Sequence, residues 1–382
     1  MPMPSILYLL AACNLVIGSG AFGLTGILAP MAASLDVSVA AAGQTMTAYA
    51  MANALLAPLL LMRTGHWSRK ATLQIALGLF AAGTLVSALA PSLTVLLAGR
   101  VLMGAGAMLT PAAAGIAVAL VAPSQRGKAL SLTFLGMSLS YVIGLPLGAW
   151  LGQQFGWRVP MFAVTAAALA MLVLVSLRVP QAINAPGARF GELGGLLRQP
   201  LVRRALFLTL MYFAAIFAVY GYIGPVLQTL NPMRSTALSV TLMLCGVAGV
   251  AGTLSGGWAS DRFGPLRTLR VQLAGLALMM LLVPFTRGHT AAMVAAMLAW
   301  NVFGFGMMAP QQSRLAMAAP AQAPLLMSLN ASMLYFGTAL GAAMGGAGSA
   351  LLGFDRLAWL GLCFAVLGGL TLLPHDAQSH AA

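Results

Sequence analysis

The 382-residue chain is 60% hydrophobic and carries 19 Lys and Arg against five Asp and Glu. This composition leaves little room for a soluble domain and indicates a membrane protein. The basic excess does not indicate nucleic-acid binding, because the basic residues are spread over many short polar segments instead of one contiguous face. The cysteines, Cys13, Cys245 and Cys363, lie in separate apolar stretches and fit neither a disulfide framework nor a metal site. We expect no metal and no cofactor.

Twelve apolar stretches are long enough to cross a bilayer, whose hydrocarbon core needs about 20 helical residues. They run continuously without period-two alternation, so they predict helices and not the strands of a barrel. The first stretch has no basic residue before it and is too long for the core of a signal peptide, so we expect it to be retained. The stretches lie near residues 6–33, 39–62, 71–90, 94–121, 128–153, 157–178, 204–230, 235–259, 268–286, 290–317, 323–353 and 355–374.

The basic residues are divided unequally between the two sets of alternate loops. One set holds Arg63, Arg69, Lys70, Arg126, Lys128, Arg178, Arg189, Arg198, Arg203, Arg204, Arg262, Arg267, Arg270 and Arg314. The other set holds only Arg158, Arg234, Arg287 and Arg356, and Arg100 lies inside a span. By the positive-inside rule, the basic set and both chain termini are cytoplasmic.

The chain repeats itself at a separation of about 200 residues. The matches are Gly104 and Gly106 with Gly304 and Gly306, Ala122–Gln125 with Ala319–Gln322, and Gly144 and Gly148 with Gly341 and Gly345. An even number of spans per repeat makes the repeats parallel, as in transporters whose two halves rock against each other. We therefore predict two six-helix halves, residues 1–178 and 204–382, joined by a cytoplasmic linker at 179–203.

Several segments resemble signatures of the major facilitator superfamily. They are Gly256–Gly264 after the eighth span, Arg100–Gly104 in the fourth, and Gly136–Gly152 in the fifth, which resembles the signature of the antiporters. Pro146–Gln153 with Phe155–Arg158, Tyr49 with Pro58, and Ser328–Asn330 are similar to the arabinose-efflux-permease-like branch of the drug:proton antiporters. The resemblance implies an all-α membrane protein of twelve transmembrane helices with the major facilitator fold.

The loop signature implies a cytoplasmic gate. Asp261 is expected to accept hydrogen bonds from a facing helix N-terminus only while the gate is closed. Its neighbours in the predicted gate are Gly257, Arg262, Gly264, Arg69 and Lys70. The first-half loop departs from the pattern, because Gly65 stands where the superfamily has an aspartate.

The fifth span carries Gly144, Gly148 and Gly152 on one helix face, with Pro146 among them. Small residues four apart let neighbouring helices approach closely, and the proline would bend the helix. Close packing alone accounts for this pattern. The resemblance to antiporters implies that the face is a hinge or a seal between the halves.

Arg100 is a permanent charge a few residues inside the fourth span. A charge in the membrane interior is normally paired or turned to a cavity. Two interpretations remain open: the side chain reaches the nearby outer interface, or, as the resemblance implies, it lines the transport cavity or influences proton movement.

None of the five acids, Asp36, Glu192, Asp261, Asp355 and Asp376, lies in the interior of a predicted span, although proton-coupled transporters usually keep a titratable group in the pathway. Ala21 stands where members of the resembled branch often carry an acid. Asp36 is a loop acid just beyond the first span. The proton carrier is therefore not identified by the sequence.

Polar and aromatic residues in the middle of the spans are the candidates for substrate contact, although many such residues only hydrogen-bond between helices. They are Asn14, Thr25, Tyr49, Asn53, Ser138, Tyr141, Tyr212, Tyr220, Asn301, Gln311, Asn330 and Tyr335. Without a buried acid, the cavity suits neutral or anionic molecules better than cations, which would meet the field of Arg100.

We interpret the chain as a monomeric secondary transporter of the bacterial plasma membrane that exports small organic molecules in exchange for protons. Its partners are the substrate, protons and the lipid bilayer. An uncoupled facilitator or uptake carrier of the same fold is the alternative, supported by the missing acid. A membrane enzyme is disfavoured, because no nucleophile and base pair or metal cluster is recognisable.

The charge pattern predicts a topology that labelling can test. Cysteines introduced beside Arg126 or Arg267 should react with an impermeant thiol reagent only from the cytoplasmic side, and one beside Arg287 only from outside. Labelling of both sets from the same side would contradict the twelve-span arrangement.

Overall fold

The computed structural model describes residues 4–64, 67–122, 125–180, 193–318 and 322–373, and in these ranges all regular structure is helical. Gly65, Glu192 and Asp376 lie outside the described residues. The α-helices are α1 (Ser5–Phe22), α2 (Leu28–Ser34), α3 (Val39–Arg63), α4 (Arg69–Leu89), α5 (Leu93–Gly106), α6 (Leu109–Ala119), α7 (Arg126–Leu139), α8 (Leu145–Phe155), α9 (Arg158–Arg178), α10 (Leu193–Arg198), α11 (Pro200–Tyr220), α12 (Ile223–Leu230), α13 (Ser235–Phe263), α14 (Pro265–Leu282), α15 (Thr290–Phe305), α16 (Met308–Ala318), α17 (Ala323–Leu352) and α18 (Leu357–Gly369).

Within the described ranges, eleven helical segments are long and apolar enough to cross a membrane, and the shorter segment Leu357–Leu372 follows them. This confirms the predicted all-α membrane fold. Short connections make successive spans antiparallel, so the bundle has two ends. We call the end that carries Ser5 and Leu372 the proximal end, and the opposite end the distal end.

Side chains tie the distal connections together. Arg158 donates to the carbonyl of Ala90 at 2.9 Å and to the hydroxyl of Ser34 at 3.2 Å. In the second half Arg287 pairs with Asp355 at 3.3 Å. These contacts place the loops of each half side by side.

Local sequence explains where the helices start and stop. The hydroxyls of Ser38 and Ser68 accept from the backbone amides of Ala41 and Ala71, which caps α3 and α4. Gly264 ends α13 with φ 83°, a conformation that side chains disfavour, and Pro265 begins α14.

Four spans are broken, and the breaks recur in the two halves. The first span is interrupted between α1 and α2, and the seventh between α11 and α12. The fourth and tenth spans are interrupted between α5 and α6 and between α15 and α16, at a separation of about 200 residues. The breaks in the fourth and tenth spans fall beside the glycine pairs from which the repeat was inferred. The division into domains at 178 and 204 stays a prediction.

The glycines of the fifth span pack against the first span of the same half. A Cβ added at Gly148 would lie 3.3 Å from the Cα of Gly23, and one added at Gly152 would lie 2.5 Å from Ile27. Gly144 is equally close to Ser19. These glycines therefore contact α1 and the following turn of their own half, and their assignment as a hinge or a seal between the halves stays a prediction.

The matched glycines of the second half have the same relation to their own broken span. Gly341 faces the carbonyl of Ala214, and Gly345 faces that of Ala218, so α17 packs closely on α11. Pro146 does not simply bend the fifth span. A π-helical turn, Ser140–Gly144, precedes it and widens the backbone where the proline lacks an amide hydrogen.

The fifth and eighth spans, one from each half, pack closely at the distal end and separate toward the proximal end. α13 packs against α8 and the π-helical turn far more extensively than against α7, which forms the proximal part of the same span. Gln154 donates to the hydroxyl of Ser235 at 2.9 Å, and the amide of Gly224 donates to the carbonyl of Thr25 at 3.3 Å. Both hydrogen bonds join the halves on the distal side.

Close glycine packing between α13 and α15 gives a stability prediction. Gly252 faces the backbone of Val302, so Gly252→Val should force the helices apart and destabilise the protein by about 1–3 kcal/mol. Gly78→Val is the matched control, because no atom lies within 4 Å of its added Cβ. Thermal unfolding in detergent measures both. Equal melting temperatures would contradict this packing.

Candidate functional site

Arg100 is enclosed inside the first half, with 1% of its surface exposed. Its Nη1 and Nη2 donate to the carbonyls of Gly20 and Ala21 at 2.8 and 2.6 Å, and its Nε donates to that of Thr45 at 3.1 Å. The break after α1 leaves its last carbonyls without intrahelical partners, and the C-terminal end of a helix favours a cation. The interpretation that Arg100 reaches the outer interface is therefore wrong.

Tyr49 separates Arg100 from the centre of the molecule. Its ring lies with its centroid 5.0 Å from the guanidinium carbon, a cation–π contact. Asn53, one turn further along α3, lies beside the hydroxyls of Tyr49 and Tyr335. The ring of Tyr49 therefore lies between the positive charge of Arg100 and the centre of the molecule.

Tyrosines from both halves converge at the centre. Tyr141 from the fifth span lies within electrostatic range of Tyr49, Tyr212 and Tyr335. Tyr141 and Tyr335 are half-buried, whereas Tyr49 and Tyr212 are buried. We call Tyr49, Asn53, Tyr141, Tyr212 and Tyr335 the central site. Within it, Tyr141 and Tyr335 keep part of their surface exposed.

The central site keeps hydrogen-bonding capacity for a ligand. Asn53 is 6% exposed, and its Nδ2 has no hydrogen-bond partner among the described residues. No hydrogen bond within those ranges engages the hydroxyl of Tyr141. A buried amide without a partner is unfavourable, and a bound acceptor would satisfy it.

Aromatic rings line the distal side of the central site and cross between the halves. Phe22 stacks on Tyr141 with centroids 4.7 Å apart, and Tyr141 meets the edge of Phe305 at 5.1 Å. Phe217 lies 6.0 Å from Phe22, and Tyr220 lies 6.0 Å from Phe305. Such a surface suits flat or apolar parts of a ligand.

Other predicted substrate residues form hydrogen bonds within each half. In the first half Thr110 donates to Asn14 at 2.8 Å, and Asn14 donates to the carbonyl of Thr133 at 3.1 Å. Thr25 donates to the carbonyl of Phe22. Ser138 is half-buried on α7, one turn before Tyr141.

The second half repeats this arrangement. Thr209 donates to Asn330 at 2.6 Å, and Gln311 donates to Thr209 at 3.0 Å. Tyr220 is paired with Asn301. These polar residues occupy the same spans of their repeat as Asn14, Thr110 and Thr133, and they stabilise helix contacts.

The contacts of Tyr222, which we call the latch, close the distal side of the central site. Tyr222, in the break between α11 and α12, packs on Gly43 of α3. Its hydroxyl donates to the carbonyl of Ala342 at 3.0 Å and accepts from Nε2 of Gln44 at 3.2 Å. The latch joins second, seventh and eleventh spans.

The predicted gate residues lie at the proximal end. Asp261 and Arg262 are exposed in the last turn of α13, and the guanidinium of Arg262 lies 5.8 Å from the ring centroid of Trp258. Gly257 faces Ala309, while Arg69 and Lys70 begin α4. Asp261 has no hydrogen bond or ion pair among the described residues.

Within the described ranges the acids are Asp36, Asp261 and Asp355, and each lies at an end of the bundle. Asp36 is exposed with φ 51°, a conformation that aspartate tolerates in turns. No group of His, Cys, Asp and Glu in these ranges is arranged to hold a metal.

Sequence reasoning missed Phe22, Phe217, Phe305 and Tyr222. Their hydropathy is that of any apolar span residue, so composition gives no signal. The breaks after α1 and α11 were the available clue, since a helix break in a membrane marks a site or a gate.

Comparisons with known proteins agree on one family. Residues 10–322 match the family model of the Major Facilitator Superfamily. The chain is 33% identical over 363 residues to the inner membrane transport protein YdhP of Escherichia coli K12, covering 94% of this chain and 91% of that protein. It is 26% identical over 371 residues to YbcL of Bacillus subtilis, an uncharacterised MFS-type transporter, covering 96% and 95%.

Solved structures show the same fold. The D-xylose-proton symporter superposes with a TM-score of 0.80 at 16% identity, covering 96% of both chains. A bacterial homologue of the human lysosomal transporter Spinster, in an inward-facing and occupied conformation, gives 0.80 at 15% identity, covering 96% of this chain and 95% of that one.

Substitutions of Arg100 can separate the effect of its charge from the effect of its hydrogen-bond geometry. Arg100→Ala should abolish transport and destabilise the fold by about 3 kcal/mol, because carbonyls of three residues lose a charged donor. Arg100→Lys should retain part of the activity, since the charge remains but the fork of donors is lost. Initial transport rates and melting temperatures measure this, with the exposed Arg356→Ala as control. Full activity of Arg100→Ala would contradict the assignment.

Proposed function

Because the chain belongs to the major facilitator superfamily, a family of membrane transporters, we propose that it exports small organic molecules from the bacterial cytoplasm by alternating access. In this proposal residues 1–178 and 204–382 move as two halves about the central site. Exchange for protons supplies the energy. A catalytic activity is not part of the proposal.

The observation that carries the proposal is the central site built from both halves. Tyr49, Asn53 and Tyr141 come from the first half, and Tyr212 and Tyr335 from the second. The fifth and eighth spans, one from each half, pack closely on the distal side of the site and separate on the proximal side. A site divided between halves changes its access when the halves rock, which is the requirement of alternating access.

The charge distribution supports a cytoplasmic proximal end. Arg63, Lys128, Arg178 and Arg267 belong to the basic set at this end, whereas the distal loops hold four basic residues. Under the positive-inside rule this distribution supports the proposal that both termini lie in the cytoplasm. Export as the direction of transport follows from the resemblance of the fifth span to antiporters.

The central site favours neutral or anionic substrates with hydrogen-bond acceptors and a flat or apolar part. Asn53 and the tyrosine hydroxyls donate hydrogen bonds, and Phe22 and Phe305 offer ring surface. Arg100 is a fixed cation one ring away, so a cationic substrate would be repelled. Sugar-like, nucleoside-like and neutral drug molecules fit this description.

An uncoupled facilitator or uptake carrier is the second candidate, and one observation favours it. Within the described ranges no carboxylate or histidine lies in the interior of a span, so a proton would have no conventional carrier there. Proton coupling is therefore the part of the proposal that needs its own measurement.

Cross-linking across the distal contact tests alternating access. In a Cys363→Ser background, Gln154→Cys with Ser235→Cys should form a link through a short bis-methanethiosulfonate reagent, since the native side chains hydrogen-bond at 2.9 Å. The linked protein should bind substrate yet lose transport, because the halves cannot separate distally. Cleavage by a reducing agent should restore transport, and each single cysteine is a control. Full transport while linked would contradict rocking halves.

Counterflow in proteoliposomes tests substrate class and coupling together. A panel of sugars, nucleosides and neutral antibiotics should contain the substrate, and singly charged cations should not compete with it. Adding substrate to de-energised vesicles should move protons in the opposite direction to substrate. Downhill transport with no pH change, unaffected by collapse of the proton gradient, would establish the facilitator instead.

A further inference from the structure

Three arginines converge at the proximal end of the second half, outside the central site. Arg314 on α16 is 9% exposed, and its Nη1 is buried without a hydrogen-bond partner among the described residues. The charges that act on Arg314 most strongly are those of Arg204 on α11 and Arg270 on α14, and both are positive.

This cluster has no ion-pair partner among the residues that the structure describes. In the described ranges Asp261 is the acid at the proximal end, and it has no ion pair there. Like charges brought together near a membrane repel one another unless an anion lies among them. The buried Nη1 of Arg314 therefore has room for an acceptor that the described residues do not supply.

An apolar groove of about 430 Å³ opens directly beside the cluster. It lies between α14 and α18 and is lined by Leu273, Ala277, Ala365, Gly369 and Leu372, with Arg270 at its rim. Apart from this arginine the lining is entirely apolar, so a polar solute would not fill it. The end of an acyl chain would.

Arg270 connects the groove to the cluster. Its Nε and Nη2 donate to the carbonyl of Leu372 at 3.0 and 2.8 Å, which fixes the guanidinium at the mouth of the groove. Nη1 takes no part in these two hydrogen bonds. An anion at the mouth would therefore meet a preorganised donor, and Arg314 lies within electrostatic range of it.

We propose that an anionic phospholipid binds at this corner, with its phosphate among Arg270, Arg314 and Arg204 and one acyl chain in the groove between α14 and α18. Basic pockets between transmembrane helices bind anionic headgroups in this way, because charge and acyl chain are recognised together. The lipid supplies the missing acceptor and joins α14, α16 and α18 from outside. This inference does not depend on the substrate or on its coupling.

Native mass spectrometry of the purified full chain tests the site with phosphatidylglycerol as the probe. We expect one tightly bound phosphatidylglycerol, with phosphatidylcholine at least tenfold weaker. Arg270→Gln and Arg314→Gln should each weaken phosphatidylglycerol about fivefold. Arg314→Lys should restore part of the loss. Melting temperatures without lipid verify that each variant is folded.

Two further comparisons separate this site from general surface charge and from a free anion. Arg234→Gln removes an equal charge at the distal end and should leave binding unchanged. Gly369→Leu should fill the groove and weaken the lipid, because only Leu273 lies near its added Cβ, at 3.5 Å, whereas Gly78→Leu should not. Equal binding of phosphatidylcholine, an equal loss in Arg234→Gln, or displacement of the lipid by millimolar glycerol phosphate would overturn the proposal.

Discussion

In a lipid environment every backbone carbonyl freed by a helix break needs a donor from elsewhere in the protein, and this constraint organises the molecule. At the break in the first span, Arg100 donates to Gly20 and Ala21. In the tenth span, Tyr212 donates to the carbonyl of Gly304, just before α15 ends. These two broken spans are thus each held by a side chain from another span of the same half.

The halves meet through the packing of α3 on α17 and of α13 on the fifth span, and through single side-chain contacts. The latch at Tyr222, the hydrogen bond of Gln154 with Ser235 and the aromatic contact of Tyr141 with Phe305 cross between the halves. None of these is an ion pair, so they can be exchanged for other contacts at modest energetic cost. Small polar and aromatic contacts of this kind suit an interface that opens and closes.

The excess of basic over acidic residues has one consequence in the membrane interior and another at the membrane surface. In the membrane interior Arg100 is stabilised by carbonyl dipoles alone. These dipoles do not cancel its charge, so a positive field remains near Tyr49. At the proximal end Arg204 and Arg270 lie within electrostatic range of Arg314, and in our proposal a lipid phosphate is the anion that binds among them. The excess of basic residues therefore disfavours cationic substrates at the central site and favours anionic lipid at the proximal surface.

The sequence by itself determined the all-α fold, the succession of spans and the family, because hydropathy, loop charge and the glycine motifs are local properties of the chain. It also identified Tyr49, Tyr141 and Tyr335 as mid-span polar residues. Only the tertiary structure decided that these three converge while Asn14 and Gln311 bond within their own halves. It also turned Gly144 toward the first span and buried Arg100. Those outcomes depend on which helix faces meet across 100 residues or more, and hydropathy carries no information on how a span is rotated.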